Sequence, residues 1–178
     1  MKKLHPLLIL FILASNAFSQ SKLQTVTKSS VVFHIKNLGI TVDGTLGGFK
    51  GTIIFDPANL ATSTIEASVD VNTIDTDNGT RNDHLKTDSY FDVAKYPTII
   101  IKSVSIKHNS GNNYTGTFNL TIKNVTKAVE VPFSCVETGN TAVFKGNFQI
   151  ERTDYGVGSS SLVMSSTVRI DIDFTTTK

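Results

Sequence analysis

Along most of this chain apolar and polar residues alternate one by one, which puts them on opposite faces of an extended strand. Ile65, Ala67, Val69 and Val71 alternate with Glu66, Ser68, Asp70 and Asn72. Tyr114, Gly116, Phe118, Leu120 and Ile122 share one face of a second strand, and Val129, Val131, Phe133 and Cys135 one face of a third. Ala142, Phe144, Gly146, Phe148 and Ile150 stand opposite Lys145, Asn147, Gln149 and Glu151. The last strand is predicted to run from Leu162 through Met164, Ser166, Val168, Ile170 and Ile172 to Phe174. Val31, Phe33 and Ile35 form a shorter set, as do Phe49, Ile53 and Phe55 around Gly51. Ile99, Ile100 and Ile101 are continuous, so the pattern does not choose their phase.

Turn formers punctuate these strands: Asp43-Gly44, Asn109 to Asn112, Thr138-Gly139-Asn140 and Asp154-Tyr155-Gly156. Asn124 is the expected left-handed residue of another turn. Pro132 has no N–H for a ladder, so its strand is expected to be an edge or to carry a bulge. Between Asp75 and Tyr96 the alternation fails. Asp75, Thr76 and Asp77 are N-cap types, and Arg81, His84 and Leu85 would share a helix face. A second short turn is expected after Asp56-Pro57. About nine amphipathic strands joined by hairpins point to one barrel, whose closure removes sheet edges.

The N-terminus follows another rule. Lys2 and Lys3 precede an unbroken apolar run, Leu7 to Ala14, then small residues at Ala17 and Ser19. That is the layout of a secretory signal peptide, too short to span a bilayer core as a helix. Cleavage is expected after Ser19, leaving residues 20–178 as one domain in the periplasm or outside the cell.

Composition agrees with a β fold: 23 Thr, 16 Val and 16 Ile favour pleated surfaces. Without Lys2 and Lys3 the chain has equal numbers of basic and acidic residues. A nucleic-acid partner, which needs clustered positive charge, is not expected. Cys135 is the sole cysteine, so no internal disulfide forms, and its apolar face marks it as a buried hydrophobe. His34 and His108 stand apart from His84 with no metal-ligand spacing, and no metal site is expected. No nucleophile elbow, P-loop or dinucleotide fingerprint occurs, so neither catalysis nor a cofactor is expected. The sequons at Asn78, Asn113, Asn119 and Asn124 matter only where the source glycosylates them.

Several segments then resemble the YceI-like family of exported proteins. They are Ser29 to Phe33 with Leu38-Gly39-Ile40; Gly44 to Gly51 with Ile53 to Pro57; and Thr73 to Thr76 with Arg81 to Leu85, Tyr90-Phe91-Asp92 and Tyr96-Pro97. Leu120 to Lys127 and Arg152 to Gly158 complete the set, in order over the whole mature chain. The chain departs from the family pattern at Leu23 or Val26 and at Lys28, where an aromatic and a His are usual. Asn82 stands where Asp is favoured, and Asn124 and Ala128 where Gly and Pro are. The resemblance implies an all-β fold, an eight-stranded antiparallel lipocalin-like barrel with one or two short helices. It also implies a hydrophobic cavity that encloses a polyisoprenoid chain, such as an isoprenoid quinone or prenyl lipid, for storage or transport.

The expected cavity lining is Phe33, Ile35, Phe49, Ile53, Phe55, Val69, Phe118, Leu120, Val131, Phe133, Phe144, Phe148, Val168 and Ile170. On the residues alone the same side chains are expected to fill a closed barrel, leaving the outer surface to act as an interaction module; the resemblance favours the cavity. A cavity should measure several hundred Å³. Arg81, Asp83 and His84 are candidates for its mouth, where Arg81 or His84 would meet a headgroup; they would otherwise tie down their own loop. The alternative activity is an enzyme on an amphiphilic lipid or quinone, with Asp83 and His84 as acid–base pair. Arg152 and Asp154 are expected to pin a hairpin, and a homodimer is left open.

Overall fold

Eight strands close into one antiparallel barrel in the computed structural model, which describes residues 22–178. They are β1 (Leu23–Asn37), β2 (Ile40–Ile54), β3 (Thr64–Asp75), β4 (Thr98–Ser110), β5 (Asn113–Ile122), β6 (Val125–Thr138), β7 (Thr141–Glu151) and β8 (Met164–Thr177). Each pairs with its sequence neighbours, and β8 returns to β1. The signal-like segment lies outside the described residues. One α-helix, α1 (Gly79–Lys86), and single 3-10 turns at Leu60–Thr62 and Arg152–Tyr155 join them.

The alternating positions turn inward as expected: Ile65, Ala67, Val69 and Val71 are buried, and so are Tyr114, Phe118, Leu120 and Ile122. Ile99 pairs with Val69 and Ile101 with Ala67, which turns both inward and leaves Ile100 outside. Leu162 departs from the expectation: β8 begins at Met164, and Leu162 is fully exposed in the preceding loop.

Pro132 explains a seam. The two-residue turn between Ile122 and Val125 makes odd-numbered residues of β6 bond to β5. Even-numbered residues therefore face β7, and there the ladder runs only from Phe133 to Thr138. Pro132 is the next residue that would donate, and it cannot. In the same turn the left-handed residue is Lys123 (φ 54°), not Asn124, which fits a II′ turn with positive φ at its first position. Lys123 Nζ donates to the carbonyls of Gly156 (3.0 Å) and Asp88 (3.3 Å), tethering two loops.

Helix α1 is capped by Asn78, whose side chain accepts from the Arg81 N–H at 2.9 Å. Asp75, Thr76 and Asp77 have other work. Thr76 donates from N (2.9 Å) and Oγ1 (2.6 Å) to Asn82 Oδ1, and Asn82 Nδ2 donates to Asp75 Oδ1 at 3.0 Å.

One end of the barrel is packed solid. Phe55 meets Tyr114, Phe133 and Phe144 edge-on, with ring centres 5.1, 6.0 and 5.3 Å away. Phe144 stacks on Phe174 at 4.6 Å. The buried polar pair there is satisfied: Thr176 Oγ1 donates to Gln24 Oε1 (2.7 Å), and Gln24 Nε2 to the Phe55 carbonyl (2.9 Å). Cys135 lies in this core, and burial pushes its thiol up to about 12. The β1–β2 turn, α1, the β5–β6 turn and the loop before β8 lie at the other end.

Candidate functional site

Two apolar lobes lie inside the barrel. The deeper, about 130 Å³, is lined by Phe49, Val69, Phe118, Leu120, Val131, Phe133, Phe144, Phe148 and Ile170 among others. The outer lobe, about 140 Å³, is lined by Phe33, Ile35, Val168 and Ile170. Leu46, Ile99, Ile122, Ile150 and Ile170 line both lobes and form a belt where they abut. Each lobe is smaller than the several hundred Å³ usual for a ligand pocket; together they approach it.

Ile53 and Phe55 line neither lobe. They belong to the packed end, with Ile53 wholly buried. Period two tells which face a residue takes and says nothing of its level along the barrel axis.

Of the three mouth candidates, only Arg81 lines the outer lobe. Its Nε donates to Thr76 Oγ1 (2.8 Å) and its Nη2 to the Thr76 carbonyl (2.5 Å), so Nη1 remains for an incoming group. Asp83 and His84 are exposed on α1 and line neither lobe; the His84 ring packs edge-on against Tyr90 at 4.8 Å. The structure does not bring them together with the cavity as an acid–base pair.

Sequence reasoning missed several contributors. Leu46 lies among Gly44, Gly47 and Gly48, where strand alternation cannot be read, and Val42 lies just before them. Tyr90 and Phe91 come from the irregular segment after α1. Arg152, only 4% exposed, lines the outer lobe while its guanidinium donates to the carbonyls of Val157 (2.8 Å), Ser159 (2.9 Å) and Ser165 (2.9 Å). It holds the loop before β8, as its hairpin-pinning role implied, and Asp154 binds Lys127 at 2.6 Å.

His34 is not isolated. Its Nδ1 lies 2.7 Å from Asp43 on β2 and its Nε2 3.1 Å from Asp171 on β8. The bond to Asp43 raises its pKa; burial opposes this, and Asp171 adds to the rise. His108 lies within β4, 2.8 Å from the Gly111 carbonyl.

Residues 22–176, which form this eight-stranded barrel with its apolar interior and the Arg81 loop, match the YceI-like domain in sequence. The chain belongs to the YceI-like family. A UPF0312 protein of Yersinia pestis is 31% identical over 134 residues, covering 71% of this chain and 69% of its own. A UPF0312 protein of Pseudomonas paraeruginosa is 30% identical, covering 71% of this chain and 70% of its own. Among solved structures, Burkholderia cenocepacia BcnA superposes with a TM-score of 0.79 at 28% identity, over 83% of this YceI-like chain and 95% of that one. A polyisoprenoid binding domain from Saccharophagus degradans shares the fold, with a TM-score of 0.69 at 16% identity over 87% and 97% of the two chains.

Proposed function

We propose that this YceI-like protein is an exported carrier that encloses the tail of an isoprenoid quinone or prenyl lipid. The observation that carries the reading is the pair of abutting lobes, walled almost entirely by apolar side chains inside a closed barrel. A linear apolar chain is the ligand shape that fits an axial cavity of this kind. Its transfer from water is favoured by about 25 cal/mol per Å² buried, without polar contacts along the tail. The headgroup stays at the outer lobe, where Arg81 Nη1 offers donors to a carbonyl or phosphate oxygen. The Saccharophagus degradans domain, named for polyisoprenoid binding, supports the ligand class. The basic and apolar N-terminal segment supports export to the periplasm or beyond. Binding is favoured over catalysis by the pair Asp83 and His84, which lies off the cavity.

The test is uptake of an isoprenoid quinone, read by extraction after gel filtration. The parent protein should retain about one quinone per barrel. Leu46→Trp, which fills the belt between the lobes, should retain little while keeping its β-type circular dichroism. Equal retention by both would place the tail elsewhere.

A further inference from the structure

The open end of the barrel carries an unusual rim. Four large apolar side chains project from it into water: Leu38 and Ile40 at the β1–β2 turn, 71% and 70% exposed, and Leu162 and Val163 in the loop before β8. The two loops are tied together, since the Leu38 N–H donates to the Val163 carbonyl at 2.7 Å. They flank the mouth directly, because Asn37, Val42 and Met164 line the outer lobe.

Leu38 sits there against its conformational preference. Leu38 (φ 52°) and Gly39 (φ 79°) form a turn with both central residues left-handed, the type I′ pattern that favours Asn or Gly. A bulky side chain at positive φ is an outlier, and such outliers point toward function. Neither packing nor turn chemistry calls for leucine at this place.

The charge pattern adds a second, separate observation. Residues 37–42 contain no charged side chain, and neither do residues 155–168. Charges of both signs begin immediately behind, with Lys36 and Asp43 on one hairpin and Arg169 and Asp171 on β8. These two loops are uncharged and apolar, with mixed charge behind them and on the neighbouring α1 and β5–β6 turn, an arrangement that matches the layers of a bilayer, whose apolar interior lies beneath charged headgroups. A second copy of this chain seated on the rim would instead seal the opening that a tail must pass.

We propose that this rim docks the barrel mouth-first onto a lipid bilayer, so that a tail passes from membrane to cavity without crossing water. The inference rests on the carrier reading for its purpose, but the docking surface is tested apart from it. The purified mature protein would be sedimented with vesicles of phosphatidylethanolamine and phosphatidylglycerol, alongside Leu38→Asn and Leu162→Ser. Each variant should bind vesicles about tenfold more weakly, the expected loss for one buried leucine side chain. Vesicles loaded with an isoprenoid quinone would also be offered, with quinone added from ethanol as the vesicle-free source. The variants should take up quinone from vesicles more slowly and from ethanol at the parent's rate.

Parent and variants that bind vesicles equally, or not at all, would overturn docking while leaving uptake from ethanol to judge the carrier reading. Rim-dependent vesicle binding with no quinone uptake from either source would uphold docking and remove the carrier reading. A parent that sediments as a dimer, dissociated by Leu162→Ser, would make the rim a subunit interface and overturn the proposal.

Discussion

The tip of the Phe33 ring occupies the space where its cross-strand partner Gly44 would carry a Cβ. A ring on β1 can lie against β2 only because that partner is bare. Phe33 lines the outer lobe, so this contact sets the width of the mouth.

Gly44→Ala should therefore push the Phe33 ring into the outer lobe or strain the hairpin. The expected cost is about 1–3 kcal/mol, the usual range for overpacking. Chemical denaturation of Gly44→Ala, Phe33→Leu and the double variant measures it. The double variant should recover most of the loss, because a smaller side chain leaves room for the new methyl; additive losses would refute the contact's role.

The Arg152 guanidinium holds three carbonyls from 157 to 165. Arg152→Met keeps the apolar stem and leaves those acceptors without their donor. A loss of about 1–3 kcal/mol is expected, the cost of one buried unsatisfied group, since the Val157 carbonyl is buried while water can reach those of Ser159 and Ser165. Limited proteolysis should then cut first between Gly156 and Val163, whereas unchanged cleavage would show that the loop holds itself.

His34 makes stability depend on pH. Its pKa is higher folded than unfolded, chiefly through Asp43. A group of this kind adds stability in full below its unfolded value, about 6.5, and loses it as pH rises through the folded value. The melting temperature of the parent should fall, relative to His34→Gln, as pH rises from about 6 toward 8. Parallel curves would contradict the assignment. The other charged groups facing this ring, Asp171 and its partner Arg169, are present in both proteins.

Asn82 both accepts from Thr76 and donates to Asp75, which a carboxylate could not do. Asn82→Asp would set two carboxylates side by side. The variant should melt below the parent at neutral pH, and the gap should close as pH falls into the carboxylate range. A gap independent of pH would show that geometry rather than charge is at fault.

Much of this was legible in the chain because a strand's two faces are written directly in its alternation. The set from Tyr114 to Ile122 went inward as a block. What alternation cannot encode is depth: Phe55 and Phe118 carry the same signal, yet one closes the packed end and the other lines the deeper lobe. Glycines erase the signal altogether, which concealed Leu46 between Gly44 and Gly48. Arg152 and Tyr90 reach the outer lobe from connecting segments, where position follows from tertiary contacts rather than local pattern. His34 looked solitary for the same reason, as its partners lie on two other strands.

The most direct test of the proposed carrier function is native mass spectrometry of the protein purified from its source without detergent, followed by organic extraction. The cavity predicts one adduct per barrel with the mass of an isoprenoid lipid, lost in Leu46→Trp. A bare protein that also refuses added quinones and prenyl lipids would contradict it.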